Sequence, residues 1–230
     1  MILYKYFPPA RIDVLRRKAI RFTQPAEFND PFEFNPQICE EPHPIVNLDP
    51  ALSGLITKYS LRTTIGVLCL SEICDSLLMW GHYAECHRGF VVGFDSNHDF
   101  FWRSRRERTG FGHLQKIIYQ RQRPIAQWSD ITAVKWFQTK CEHWGYEKEW
   151  RMARALTDAD FRIEAPQFPI CLFRFPPETV LEIILGMQAP TSMCEEIGSL
   201  MADFPAAVLL TAMEHPSDYA LVIGRPVRGC

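Results

Sequence analysis

The chain has 230 residues, 47% of them hydrophobic and 23% charged, with a net charge of −2 and a sequence pI of about 6.4. That balance excludes an extended disordered chain, a membrane-spanning one, and an overall positive field that draws in nucleic acid or an anionic membrane without a local patch. A core of this size forms without staples, so a single domain over residues 1–230 is expected.

The opening, MILYKYFPPARIDVLRRKAIRF, breaks its apolar residues with a Tyr, a Lys and two prolines, where a signal peptide needs an uninterrupted apolar stretch. No later run reaches the ~20 apolar residues of a spanning helix, and a cytoplasmic location without membrane contact is expected. PPARIDVLRRKAI carries Ile12, Leu15 and Ala19 at helical spacing with proline in the first turn, and IRFT follows as a strand. QPAEFNDPFEFNP has turn chemistry with Phe28, Phe32 and Phe34 as anchors that must dock on a core.

DPALSGLITKYS reads as a helix and IGVLCLS as a buried strand. DSLLMWGHYAEC then places Leu78, Met79, His82, Tyr83 and Cys86 at helical spacing, with Asp75 or Ser76 as cap and Gly89 as terminator, before the strand FVVGFD. FFWRSRRERTGFGH holds Arg103, Arg105, Arg106 and Arg108 within six residues, either an exposed loop or a phosphate contact beside Trp102, and HLQKIIYQ is strand-like. SDITAVKWFQTKCEHW spaces Val134, Phe137, Cys141 and Trp144 as a long amphipathic helix with Ser129 as cap. Strands are expected in FPICLFRF, VLEIILG, AAVLLTAM and YALVIG, with one helix opened by a capping box of Ser192 and Glu195. Helices and strands do not alternate regularly, which gives an α+β class: a mixed or antiparallel central sheet with flanking helices.

Eight cysteines are scattered without a C-x-x-C, the pattern of reduced thiols. The nearest approach to a ligand cluster, Cys69, Cys74, His82, Cys86 and His87, fits no common zinc spacing, and no metal is expected.

The densest chemistry lies in WGYEKEWR, Trp144 to Arg151. If residues 147 to 155 form a strand, Glu147, Glu149 and Arg151 share one face. Two carboxylates beside a guanidinium make either an acid/base or cation-stabilising pair or the solvated face of an edge strand.

LYKY, RFTQPAEFNDPFEF, CLSE, LLMWGHYAECHRGFVVGFD, VKWFQTKCEHWGYEKEWR and IILG follow, in order, the pattern of a bacterial family known as domain of unknown function 2971. The chain resembles that family over nearly its whole length. The arrangement is more remotely similar to that of ADP-ribosyltransferases, which implies a split sheet and NAD as candidate substrate, with a toxin or phage-defence setting. By that likeness Tyr4 or Tyr6 is the early-strand contact, Ser71 and Tyr83 are the middle elements, Asn29 is a further cofactor contact, and Glu147 with Glu149 is the late pair. Glu149 would stabilise the oxocarbenium-like ribose and Glu147 would deprotonate a protein or nucleic-acid acceptor. Two departures stand beside it: the first strand offers only tyrosines where a His or Arg is usual, and CLSE offers a single serine in place of S-T-S.

Two other classes fit the same residues. Asn29, Asp30 and Glu33 could line a pocket or join Glu147 and Glu149 around a divalent cation, as in a metal-dependent phosphoesterase or nuclease, or Asn29 and Asp30 could serve only the backbone amides of a tight turn before Pro31. A non-catalytic module would instead recognise protein or nucleic acid through the Arg103–Arg108 loop and its aromatic neighbours.

Overall fold

The computed structural model describes residues 1–35, 37–38, 59, 62–102, 112–126 and 137–225. The arginine run at 103–108, the Ser129 cap and nearly all of the expected helix at 49–60 lie outside the described residues. The class is α+β, with mixed and antiparallel pairing and short helices. No helix among the described residues is long and apolar enough to cross a membrane. The chain groups into two compact units: Met1–Ile20, Leu70–Phe101 and Arg174–Cys230 form the first, and Arg21–Cys69 with Trp102–Phe173 the second.

In the first unit, strand Ile2–Phe7 pairs antiparallel with Phe90–Asp95, which pairs antiparallel with Val180–Leu185. Val208–Glu214 lies parallel to Val180–Leu185, and Leu221–Gly224 closes the order antiparallel to it. Parallel neighbours require a crossover, and helix Thr191–Leu200 supplies it. Phe90, Val91, Val92 and Phe94 are all buried, so this strand reads as a continuous apolar run rather than an alternating one. The first helix, Asp13–Arg17, ends at Lys18 in the left-handed region, and Lys18 pairs with Asp203 at 2.8 Å.

Two local expectations are corrected here. Helix Leu77–Tyr83 is capped by Ser76 as expected, but it is not Gly89 that ends it; Glu85, Cys86 and His87 follow as three successive residues with positive φ (48°, 51° and 66°). Gly89 serves close approach instead: a Cβ there would stand 1.9 Å from the Phe7 carbonyl oxygen. Helix Thr191–Leu200 starts one residue before Ser192, with Pro190 at the cap position and no side-chain capping bond, because proline already fixes the entry geometry.

In the second unit, Glu149–Ala155 pairs antiparallel with Gln115–Lys116, and Phe161–Ile163 with Ile170–Arg174. Ile118–Gln120 runs parallel to Thr139–Cys141. The long helix expected through Phe137, Cys141 and Trp144 therefore does not continue past Gln138: among its described residues only Phe137 and Gln138 are helical. Residues 139–141 are a strand and Glu142–Glu147 a 3-10 helix, because the non-local pairing with residues 118–120 supplies the backbone partners that a helix would otherwise provide. Phe34, Val67, Phe137 and Ala153, with Phe28, Ile65 and Cys69 against them, form the core beneath the charged residues.

Candidate functional site

The FNDPFE turn folds on itself: Asp30 Oδ1 accepts from the Phe32 N–H at 2.8 Å and the Asp30 carbonyl from the Glu33 N–H at 3.2 Å. Phe34 follows with a positive φ of 52°, which buries its ring against Phe28 and Phe137. This turn delivers Glu33 into the interior. From the other side, Glu147 ends the 3-10 helix, Lys148 takes a left-handed φ of 43°, and the strand begins only at Glu149. Glu149 and Arg151 share a strand face as expected, whereas Glu147 joins them through the turn and not through strand alternation.

Five charged side chains meet there. Glu33, Lys140, Glu147, Glu149 and Arg151 are 1–6% exposed. Lys140 Nζ lies 3.2 Å from Glu33 Oε1, 2.5 Å from Glu147 Oε2 and 3.0 Å from Glu149 Oε2. The Arg151 guanidinium donates to both Glu149 oxygens, Nε to Oε1 at 2.6 Å and Nη2 to Oε2 at 2.9 Å, and also bonds Glu33. Its Cζ sits 5.5 Å from the Phe28 ring centre and 6.0 Å from that of Phe34, so the cation is covered by aromatic faces. The Glu149 N–H donates to Tyr119 Oη at 2.8 Å, and the Glu149 carbonyl accepts from the Ile117 N–H at 2.9 Å. The solvated edge strand is thus not what the paired glutamates form.

The electrostatics follow from three carboxylates around two cations. Burial raises the Glu149 carboxyl, but the guanidinium of Arg151 and the ammonium of Lys140 outweigh it and hold Glu149 well below the usual carboxylate range. For Glu33 burial wins over the same two cations, and its pKa is raised. Burial disfavours the charged form of Lys140, yet Glu149, Glu33 and Glu147 hold its pKa well above the usual value. Three carboxylates around two cations leave one negative charge in excess, and the Glu33 and Glu149 carboxyls shift in opposite directions. The Lys140 ammonium occupies the space among three carboxylates where a bridging divalent cation would have to sit. Among the described residues no group of three or more His, Cys, Asp or Glu is placed to hold a metal ion.

Beside the cluster is a cavity of about 270 Å³, with Asp30, Phe32, Glu33, Arg121, Arg123 and Lys140 in its wall. Asp30 and Glu33 line a pocket as the FNDPFE loop suggested, whereas the residues of 120–124 and 139–141 in its wall were not foreseen, because the 118–120 and 139–141 pairing brings them there.

The remaining expected contacts lie in the first unit. Tyr4 stands opposite Ser71 in register, and its hydroxyl donates to Glu182 Oε2 at 3.1 Å. Tyr6 is buried, donates to the Ile73 carbonyl at 2.9 Å and meets Trp80 edge-on. Tyr83 is half-buried with its ring against His82. Asn29 is exposed in the second unit, which also holds Glu147 and Glu149. Tyr4, Tyr6, Ser71 and Tyr83 on one hand, and Asn29, Glu147 and Glu149 on the other, belong to different compact units.

An α+β chain with a buried five-residue ion cluster beside a cavity that has charged side chains in its wall is the class that fold and site define. Residues 79–152 match the family model described as Protein of unknown function (DUF2971). This stretch, about a third of the chain, contains Lys140, Glu147, Glu149 and Arg151 and leaves out Asp30 and Glu33. It supports the likeness to that family and gives none to ADP-ribosyltransferases. No curated protein and no solved structure gives a significant match.

Proposed function

We propose that the protein is an NAD-using enzyme of ADP-ribosyltransferase type, acting on a protein or nucleic-acid acceptor, with the ion cluster as its charged centre. The observation that supports this reading most is that Glu149, buried and ion-paired, is held ionised in an interior of low polarity. A fixed carboxylate in such surroundings stabilises a developing ribosyl cation far better than one in water. Glu33, in the wall of the cavity and with a raised pKa, is the carboxyl of the cluster suited to exchange a proton with a bound molecule. Calorimetric titration with NAD, followed by assay of nicotinamide release, tests it. Saturable binding and release are expected in the wild type, with release lost in Glu149→Gln at a temperature where that variant is folded. Absence of NAD binding by the wild-type protein sinks the reading.

A specific observation favours a second reading, that of a binding module in which the cluster is scaffold. Glu33, Glu147 and Glu149 are each already paired with a cation of the cluster. Under that reading Glu149→Gln lowers thermal stability and changes no ligand affinity.

A further inference from the structure

The cavity beside the cluster has a chemistry of its own. Asp30 is 4% exposed; its Oδ1 accepts from the Phe32 N–H, while Oδ2 is buried and has no hydrogen-bond partner among the described residues. An unpaired carboxylate oxygen in the interior is costly, and a donor from a bound molecule relieves that cost. Arg121 and Arg123, both exposed, line the same cavity, with Arg123 Cζ 5.5 Å from the Phe32 ring centre. Phe32, also in the wall, is 58% exposed and presents an apolar face.

We infer that this cavity binds a nucleoside monophosphate group, with phosphate on Arg121 and Arg123, a ribose hydroxyl or base amine donating to Asp30, and the base against Phe32. Arg121 and Arg123 are the cations of the wall that lie outside the ion cluster, and they supply the anion site. Lys140 has its three N–H donors directed at Glu33, Glu147 and Glu149, so the phosphate must be held by the arginines, whose forked guanidinium matches it. A bare anion leaves Asp30 unsatisfied and repelled, which is why the ligand must carry a donor as well. The volume of about 270 Å³ suits one nucleotide half and not a whole dinucleotide.

The test is calorimetry of the whole protein with AMP, inorganic phosphate and adenosine. AMP is expected to bind saturably, and each fragment at least about tenfold more weakly. Asp30→Asn, which puts an amide in place of the free acceptor, is expected to weaken AMP by about tenfold or more. The surface double variant Arg121→Ser with Arg123→Ser, which disturbs no buried group, is expected to weaken it similarly and to flatten its salt dependence. No AMP binding at millimolar concentration, phosphate binding as tightly as AMP, or unchanged affinity in both variants overturns the inference. It does not depend on the transfer reaction: AMP binding without NAD turnover leaves this site standing, and NAD turnover without AMP binding leaves only the enzyme.

Discussion

Arg151→Met is expected to lower the unfolding free energy by about 3–5 kcal/mol, the range for removing one partner of a buried ion pair. The side chain is 1% exposed and bonds both Glu149 oxygens and Glu33, so its loss leaves three interior carboxylates, Glu33, Glu147 and Glu149, facing the Lys140 ammonium alone. Methionine fills most of the volume between Phe28 and Phe34, which separates the charge effect from a cavity effect. Adding Glu33→Gln to Arg151→Met removes one of the uncompensated acids and is expected to recover at least about 1 kcal/mol, a coupling that a double-mutant cycle reads directly. Urea unfolding of the four proteins measures it. A cost below about 1 kcal/mol for Arg151→Met would mean that the cluster is hydrated in solution and not closed.

The strands were legible wherever packing is local and apolar: IGVLCLS, FVVGFD, VLEIILG and YALVIG all form strands near their expected limits. Their signal is the apolar run itself, which does not depend on a distant partner. Residues 139–147 were not legible for the opposite reason. Phe137, Cys141 and Trp144 have helical spacing, but pairing with Ile118–Gln120 decides the outcome, and no pattern in the segment announces that pairing. The paired glutamates were placed correctly in one locality, and the arginine two residues on was recognisable as a partner of Glu149 from strand alternation. Glu33 was legible as a neighbour of the glutamates only by way of a divalent cation, and Lys140, which takes that place, was not legible at all. Arg151 and Glu33 are 118 residues apart, and a charge in a turn or in an expected helix looks solvated until the fold buries it. The same holds for Asp30, whose turn bond to Phe32 was foreseen while its second oxygen acquires meaning only in the cavity wall.

The opposite shifts of Glu33 and Glu149 give stability a defined dependence on pH. Both carboxyls titrate near 4.5 in the unfolded chain. Glu149 is depressed in the folded protein, so its contribution is present above that value and is lost as pH falls toward its native pKa, where the unfolded chain takes up a proton that the native state refuses. Glu33 is raised, so between 4.5 and its native pKa the folded protein holds a proton that the unfolded chain has released, and stability falls as pH rises through that window. Each limb has a limiting slope of about 1.4 kcal/mol per pH unit for one proton. Glu33→Gln removes the upper limb alone, because the amide remains neutral while Glu149 keeps Arg151 and Lys140. Urea unfolding of wild type and Glu33→Gln across this range should show the stability of the variant rising relative to wild type above about pH 4.5, with the acid limb common to both. A stability difference independent of pH would mean that Glu33 is ionised in the native protein and that the cluster carries its excess negative charge unrelieved.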